Sequence, residues 1–343
     1  MNRELARKVA DAVLYEGYML YPYRPSAIKN RQRWTFGILY PPAYAEVGSG
    51  TERCKMHSEF LLETNGHAKV QIQLRFLHLL ARQIAKSLDG QMEGRFEPVS
   101  SLVINDRLIE SWDEGVERSV EFELASLSTP QQHQFRFVGS SETECLHYNS
   151  NRIAGQVTRT QQEVTGTVSI SPEQVCDGVL KVNLDVTNTT ASFGFDPLDR
   201  SSALLRSLLS AHTILTAKEG QFVSLLDPPE QLRNAVSTCK NVGNFPVLVG
   251  EQPARDMLLC SPIVLYDYPQ IAPESTNSFY DATEMDEMLT LRVMTLTDEE
   301  KDEMRFADER VRNLLQRTEQ SACEQLTRTH GTIRSLRPVS EKP

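Results

Sequence analysis

The sequence lacks the short motifs on which many mechanisms are built. It has no CxxC pair, no GxGxxG or GxxxxGK[ST] loop and no GxSxG elbow. A paired-cysteine metal or redox centre, a standard dinucleotide or P-loop site and an α/β-hydrolase nucleophile are therefore unsupported. No stretch approaches the roughly 18 apolar residues needed to cross a bilayer. Charges interrupt the first apolar residues of MNRELARKVADAVL, so a signal-peptide h-region is not expected there. No long basic run occurs, and 36 Lys and Arg stand against 46 Asp and Glu, for a formal net charge of −10. That balance disfavours nonspecific nucleic-acid binding, which needs a concentrated positive surface. The six cysteines (Cys54, Cys145, Cys176, Cys239, Cys260 and Cys323) are scattered. They read as reduced thiols, and a cytoplasmic location is the expectation.

What is present is globular composition: 343 residues, 40% hydrophobic and 24% charged, enough for one large or two medium domains. Leu5, Ala6, Val9, Ala10, Val13 and Leu14 share a helical face over residues 2–15, with Gly17 as the stop. Residues 33–40 and 60–63 read as strands. Val70, Ile72, Leu74 and Phe76 alternate with polar residues, as do Val120, Phe122 and Leu124, and Leu180, Val182, Leu184 and Val186. This period of two predicts antiparallel strands with one wet face. Phe135 and Phe137, and Val168 and Ile170, mark two more. Residues 77–87 read as a helix.

The character changes at TNTTASFGFDPLDRSS, which reads as a junction. Beyond it, Leu204, Leu205, Leu208, Leu209 and His212 predict a helix. Residues 214–226 predict a hairpin turning at Lys218–Gly220. Asp227 is the expected N-cap of a short helix, and residues 247–249 and 257–265 are expected strands. Thr297 and Glu300 form a capping box. Met304, Ala307, Val311, Leu314 and Leu315 follow as one apolar stripe. The expectation is an α+β protein. Residues 1–190 carry the first helix and an antiparallel β-sandwich-like or twisted-sheet region. Residues 191–320 form a mixed α/β region ending in an amphipathic helix, and 321–343 a disordered tail.

Two proline-bearing aromatic loops are the candidate docking surfaces. In the first, Tyr266, Asp267, Tyr268 and Pro269 lead to Glu274, and Pro269 pushes Tyr268 toward an extended conformation. Tyrosine offers contact area and a hydroxyl, which suits an interface. The second loop holds Tyr21, Tyr23 and Arg24. Asp281, Glu284, Asp286 and Glu287 form an acidic patch. It reads as solvated acids, as a receiver for the cationic aromatic loop, or as a carboxylate site for a hard cation. A strand over residues 284–294 would put Glu284 and Asp286 on one face. Cys54 and His57 have half of a zinc-site spacing, but no second half is found, so neither metal nor cofactor is expected.

Several long segments carry a resemblance: VADAVLYEGYMLYPYRPSAIKNRQRWTFGILYPP, FVSLLDPPEQLR, CKNVGNFPVLVG, SPIVLYDYPQIAPES and TEMDEMLTLRVMTLTDEEK. Together they resemble an accessory protein family encoded in the gene clusters of actinobacterial-type, oxygen-insensitive nickel–iron hydrogenases. The resemblance implies assembly, maturation or scaffolding of a hydrogenase, with a hydrogenase subunit or maturation factor as partner. It carries over no catalytic residue. Two other readings stand beside the non-catalytic accessory protein. One is a metal-dependent enzyme using the patch 281–287; the other is a self-assembling structural component, a homo-oligomer.

Overall fold

In the computed structural model, one strand, β1 (Lys55–Ser87), runs for 33 residues and organises the chain. The structure describes residues 2–19, 23, 27, 30, 33–48, 50–91, 94–105, 107–149, 152–191, 196–271, 286–307 and 309–329. Helix α1 (Asn2–Tyr15) and the short α2 (Pro42–Val47) precede β1. Strands β2 (Phe96–Val99), β3 (Ser101–Ile104), β4 (Arg107–Glu110), β5 (Trp112–Glu123), β6 (Gln131–Phe137) and β7 (Ser140–His147) follow it. Next come β8 (Ile153–Gln161), β9 (Val164–Cys176), β10 (Val179–Asn188), α3 (Arg200–Leu204), β11 (Leu209–Phe222) and α4 (Arg233–Ser237). The chain then forms β12 (Phe245–Leu248), β13 (Met257–Ser261), α5 (Asp286–Met294), α6 (Asp298–Phe306) and α7 (Glu309–Thr329).

The protein is α+β. Among the described residues, eleven strands form one antiparallel sheet whose main path is β12-β13-β11-β1-β10-β9-β6; β3 and β4 form a second, two-stranded sheet. β1 reaches many partners because it is long. β10, β5 and β2 pair along one of its sides, and β11 and β8 along the other. β6 and β7 run against β9 and β8 as the outer arm of a long hairpin. β10 and β11, which precede and follow position 190/191, both pair with β1 in one sheet.

Strand geometry separates the two faces of β1. Even-numbered Met56, Phe60, Leu62, Val70, Ile72, Leu74 and Phe76 point into the main core, against Val168, Ile170, Val182, Leu184 and Leu215. The sheet curls far enough for Phe76 to meet Phe135 and Phe137 of β6, with ring centroids at 5.9 and 5.7 Å. Odd-numbered Leu77 and Leu79 face the opposite way, into a second core with Leu289, Val293, Met304, Val311, Leu314 and Leu315. Helices α5 to α7 therefore cover the outer face. Ala6, Val9, Ala10 and Val13 of α1 pack on Ile214, Val247, Met257 and Leu259 beside them. Each fully buried Leu or Phe in these layers contributes about 1.5–3 kcal/mol.

Several local expectations are corrected. Residues 77–87 continue β1 rather than forming a helix. Both faces of β1 are buried from Leu74 to Leu79, which erases the alternation that marks a strand. Residues 33–40 hold only an isolated bridge, Leu39 to Leu208, because Trp34 and Gly37 take φ of 63° and 62°. A Cβ on Gly37 would lie 2.8 Å from Pro262 and 3.0 Å from the Ser210 Cα, so glycine permits that approach. The expected helix over 204–212 ends at Leu204, and Leu209 already belongs to β11. The expected hairpin is a bulge: Thr64 pairs with Gly220 and Lys69 with Lys218, so β11 runs straight through. Asp227 caps no helix; its N–H donates to the Ser224 hydroxyl at 2.8 Å, and Pro229 precedes the 3-10 turn Glu230–Leu232. The apolar stripe from Met304 to Leu315 spans two helices that part at Ala307. Residues 321–329, expected in a disordered tail, continue α7. Residues 330–343 lie outside the described residues.

Candidate functional site

The sheet ends at β12, and an edge strand exposes unpaired main-chain groups that invite further pairing. Val249 N–H donates to Met257 O at 3.2 Å, so odd-numbered residues of this segment turn toward β13. Pro246 and Leu248 therefore turn toward the free edge. Proline has no N–H to offer there. Leu248 is closed by the strap that follows β13. Its N–H donates to Asp267 Oδ1 at 2.8 Å, and its carbonyl accepts the Tyr268 N–H at 2.7 Å. The Ser224 hydroxyl donates to Asp267 Oδ2 at 2.5 Å while accepting the N–H groups of Leu226 and Asp227. One carboxylate thus joins the ends of β11 and β12 to the strap.

This geometry corrects the expected conformation of Tyr268. Its φ is 54°, in the left-handed region, not extended. That costs an L-residue about 1–2 kcal/mol. The Tyr268 hydroxyl donates to Ala254 O at 3.0 Å, and its ring packs on the main core, which offsets the cost. Burial, then the Asp267 carboxylate, push its hydroxyl pKa up. Tyr266 is the opposite case: it is 86% exposed, and Val264, two residues earlier, is 70% exposed. Pro269 is half-buried. The four central residues of the loop therefore divide: Asp267 and Tyr268 seal the edge, and Tyr266 projects from it. Ser224, Pro246 and Leu248 are the members that sequence reasoning missed. Pro246 in a strand was the one available signal.

Of the second aromatic loop the structure describes Tyr23, and that residue is brought inside. Tyr23 is fully buried in the core beneath the helices, with φ 57°, so it offers no docking surface. Cation and aromatic groups do meet within the chain here. Arg33, itself buried, stacks 3.4 Å from the Trp112 ring and 4.8 Å from Trp34. Tyr21, Arg24, Glu274, Asp281 and Glu284 lie outside the described residues. Asp286 and Glu287 open α5, a helix where a strand over 284–294 was weighed. Leu289 and Val293 of α5, and Leu296 just beyond its end, are all buried.

The Cys54 and His57 pair is not drawn together as a chelate. His57 Nδ1 lies 2.7 Å from Asp185 Oδ1, and its Nε2 lies 3.2 Å from Glu59 Oε1, so carboxylates occupy both ring nitrogens. Burial pushes the Glu59 carboxyl up, but Lys181 at 2.8 Å, the Lys240 N–H and His57 outweigh it and hold the pKa below the usual value. Among the described residues, no group of three or more His, Cys, Asp and Glu side chains could hold a metal ion. Nor is any described helix long and apolar enough to cross a membrane. A scan of protein-family models finds no match for this chain, and a search of curated proteins finds none either.

Proposed function

We propose that this chain is a non-catalytic docking protein whose contact point is the strap over the β12 edge. The observation that carries the reading is Tyr266, 86% exposed beside two residues that are pinned to the sheet. A large aromatic held out from an anchored backbone has little entropy to lose on binding, and tyrosine is enriched among interface hot spots. The resemblance in the sequence supports a nickel–iron hydrogenase as the client, with the chain acting in its assembly, maturation or scaffolding.

The test is affinity capture of tagged protein from its native host, read by mass spectrometry, beside a Tyr266→Ala variant. Hydrogenase subunits or maturation factors recovered with the parent chain and lost with the variant are the expected result. Equal recovery with both would remove the strap from the interface. A chain that captures neither class of protein would sink the hydrogenase reading.

A further inference from the structure

Two edges of the sheet, β12 and β7, are treated differently. β12 carries Pro246 and is closed by Asp267 and Tyr268. Among the described residues β7 pairs with β8 alone; it has neither proline nor lysine, and residues 140–144 are exposed. On the side away from β8, the main-chain groups of residues 140–144 make no hydrogen bond among the described residues. Natural edge strands are usually blunted by charge, proline, bulges or a covering element; of these, residues 140–144 carry charge, at Glu142 and Glu144. The single irregularity in the β7–β8 ladder falls at Leu146/His147, beyond this stretch.

Side chains on the two faces of β7 differ in chemistry. Ser141 and Thr143 meet Thr160 and Thr158 through their hydroxyls at 3.2 and 3.1 Å. Glu142 and Glu144 occupy the other face, where Arg159 bonds Glu144 at 3.1 Å. The open edge therefore offers main-chain donors and acceptors beside a short acidic row.

We propose that β7 accepts, by strand addition, an extended segment of a partner protein bearing Lys or Arg at alternate positions. The period of two sets the spacing: alternate residues of an added strand lie on the face of Glu142 and Glu144. A second copy of this chain fits poorly. Antiparallel self-pairing centred on Thr143 sets Glu142 against Glu144, and like charges directly opposite are destabilising.

The experiment is amide hydrogen exchange on the full chain with three capped octapeptides. These are alternating Lys-Thr, alternating Glu-Thr, and the Lys-Thr peptide N-methylated at every second residue. The Lys-Thr peptide is expected to slow exchange across residues 140–144, and the other two to leave it unchanged. Glu142→Gln removes one charge from an exposed face without setting a second cation against Arg159, should leave the fold intact, and should weaken Lys-Thr binding by about two- to fivefold. Protection by the N-methylated peptide equal to that by its parent would mean charge attraction without strand pairing, and would overturn the proposal. So would no protection at 140–144, or a free protein that is dimeric with those amides already protected.

Discussion

The Asp267 carboxylate accepts the backbone N–H of Leu248 at 2.8 Å, closing the sheet edge with a side chain from a loop. This bond and the Ser224 contact are the two points at which the strap is anchored through one residue. Asp267→Ala removes both and leaves the Leu248 N–H and the Ser224 hydroxyl without their acceptor. A loss of about 1–3 kcal/mol is expected from urea denaturation. The Tyr268 amide should exchange faster as well, because the strap loosens from Leu248. An unchanged midpoint together with unchanged exchange would show that the carboxylate does not hold the edge.

Tyr266 and Tyr268, two residues apart, should respond in opposite ways. Tyr266→Ala removes a side chain that touches little of its own protein, so stability should stay within about 0.5 kcal/mol. Tyr268→Ala removes a core-facing ring and its bond to Ala254, and a loss of roughly 2–4 kcal/mol is expected. Tyr268→Phe, which keeps the ring, should cost about 0.5–1.5 kcal/mol. Thermal or urea melts of the three variants check the order. Equal effects for both alanine variants would contradict the division between projecting and sealing tyrosines.

Arg75 supports a second ordering. It is 2% exposed, and its Nη2 lies 2.5 Å from Asp11 Oδ1 in α1 and 2.6 Å from Glu117 Oε1 in β5. Both carboxylates keep partial contact with water, with side chains 44% and 34% exposed. Arg75→Met therefore releases two acids that hydrate. The double variant Asp11→Ala/Glu117→Ala instead strands a buried guanidinium. Removing the partners of a buried charge costs about 3–5 kcal/mol. The double variant should be less stable than Arg75→Met, and either single acid variant milder than both. Measured unfolding free energies in the reverse order would mean that Arg75 is hydrated in the folded protein.

What could be read from the sequence depended on how local the cause was. α1 follows from its apolar spacing, and β5 and β10 from their alternation. The Thr297 capping box forms as written, with the Glu300 N–H donating to Thr297 Oγ1 at 3.3 Å and the Thr297 N–H to Glu300 Oε2 at 3.0 Å. The second half of β1 was hidden because Leu74 to Leu79 are buried on both faces, where strand and helix patterns look alike. The straight run of β11 was hidden because Lys218–Gly220 carries turn chemistry that β1 absorbs as a bulge. At the candidate site, Tyr266 and Tyr268 were visible as a pair. Their opposite fates were not, because these depend on Leu248, Ser224 and Ala254, which arrive from distant parts of the chain.

The last prediction concerns acid. His212 is fully buried, its Nδ1 2.8 Å from the Ser210 carbonyl, and burial lowers its pKa from 6.5 to about 4, with the nearby Arg75 adding to the shift. His78 is also fully buried and lowered to about 4, first by burial and then by Arg118. In both cases the folded pKa lies below the unfolded one, so between these values the unfolded chain binds more protons. The stability these neutral rings contribute is complete above about pH 6.5 and is lost as the pH falls through 6.5 toward 4. Glu110 and Asp113, whose pKa values burial raises, act in the other direction, since their folded forms favour the proton. Between pH 7 and pH 5 each histidine should cost on the order of 2 kcal/mol. Replacing His212 with Gln, which cannot titrate, should flatten that part of the curve by a comparable amount. Urea titrations of parent and variant at the two pH values measure it. Parallel curves would mean that His212 takes up protons equally in the folded and unfolded chain.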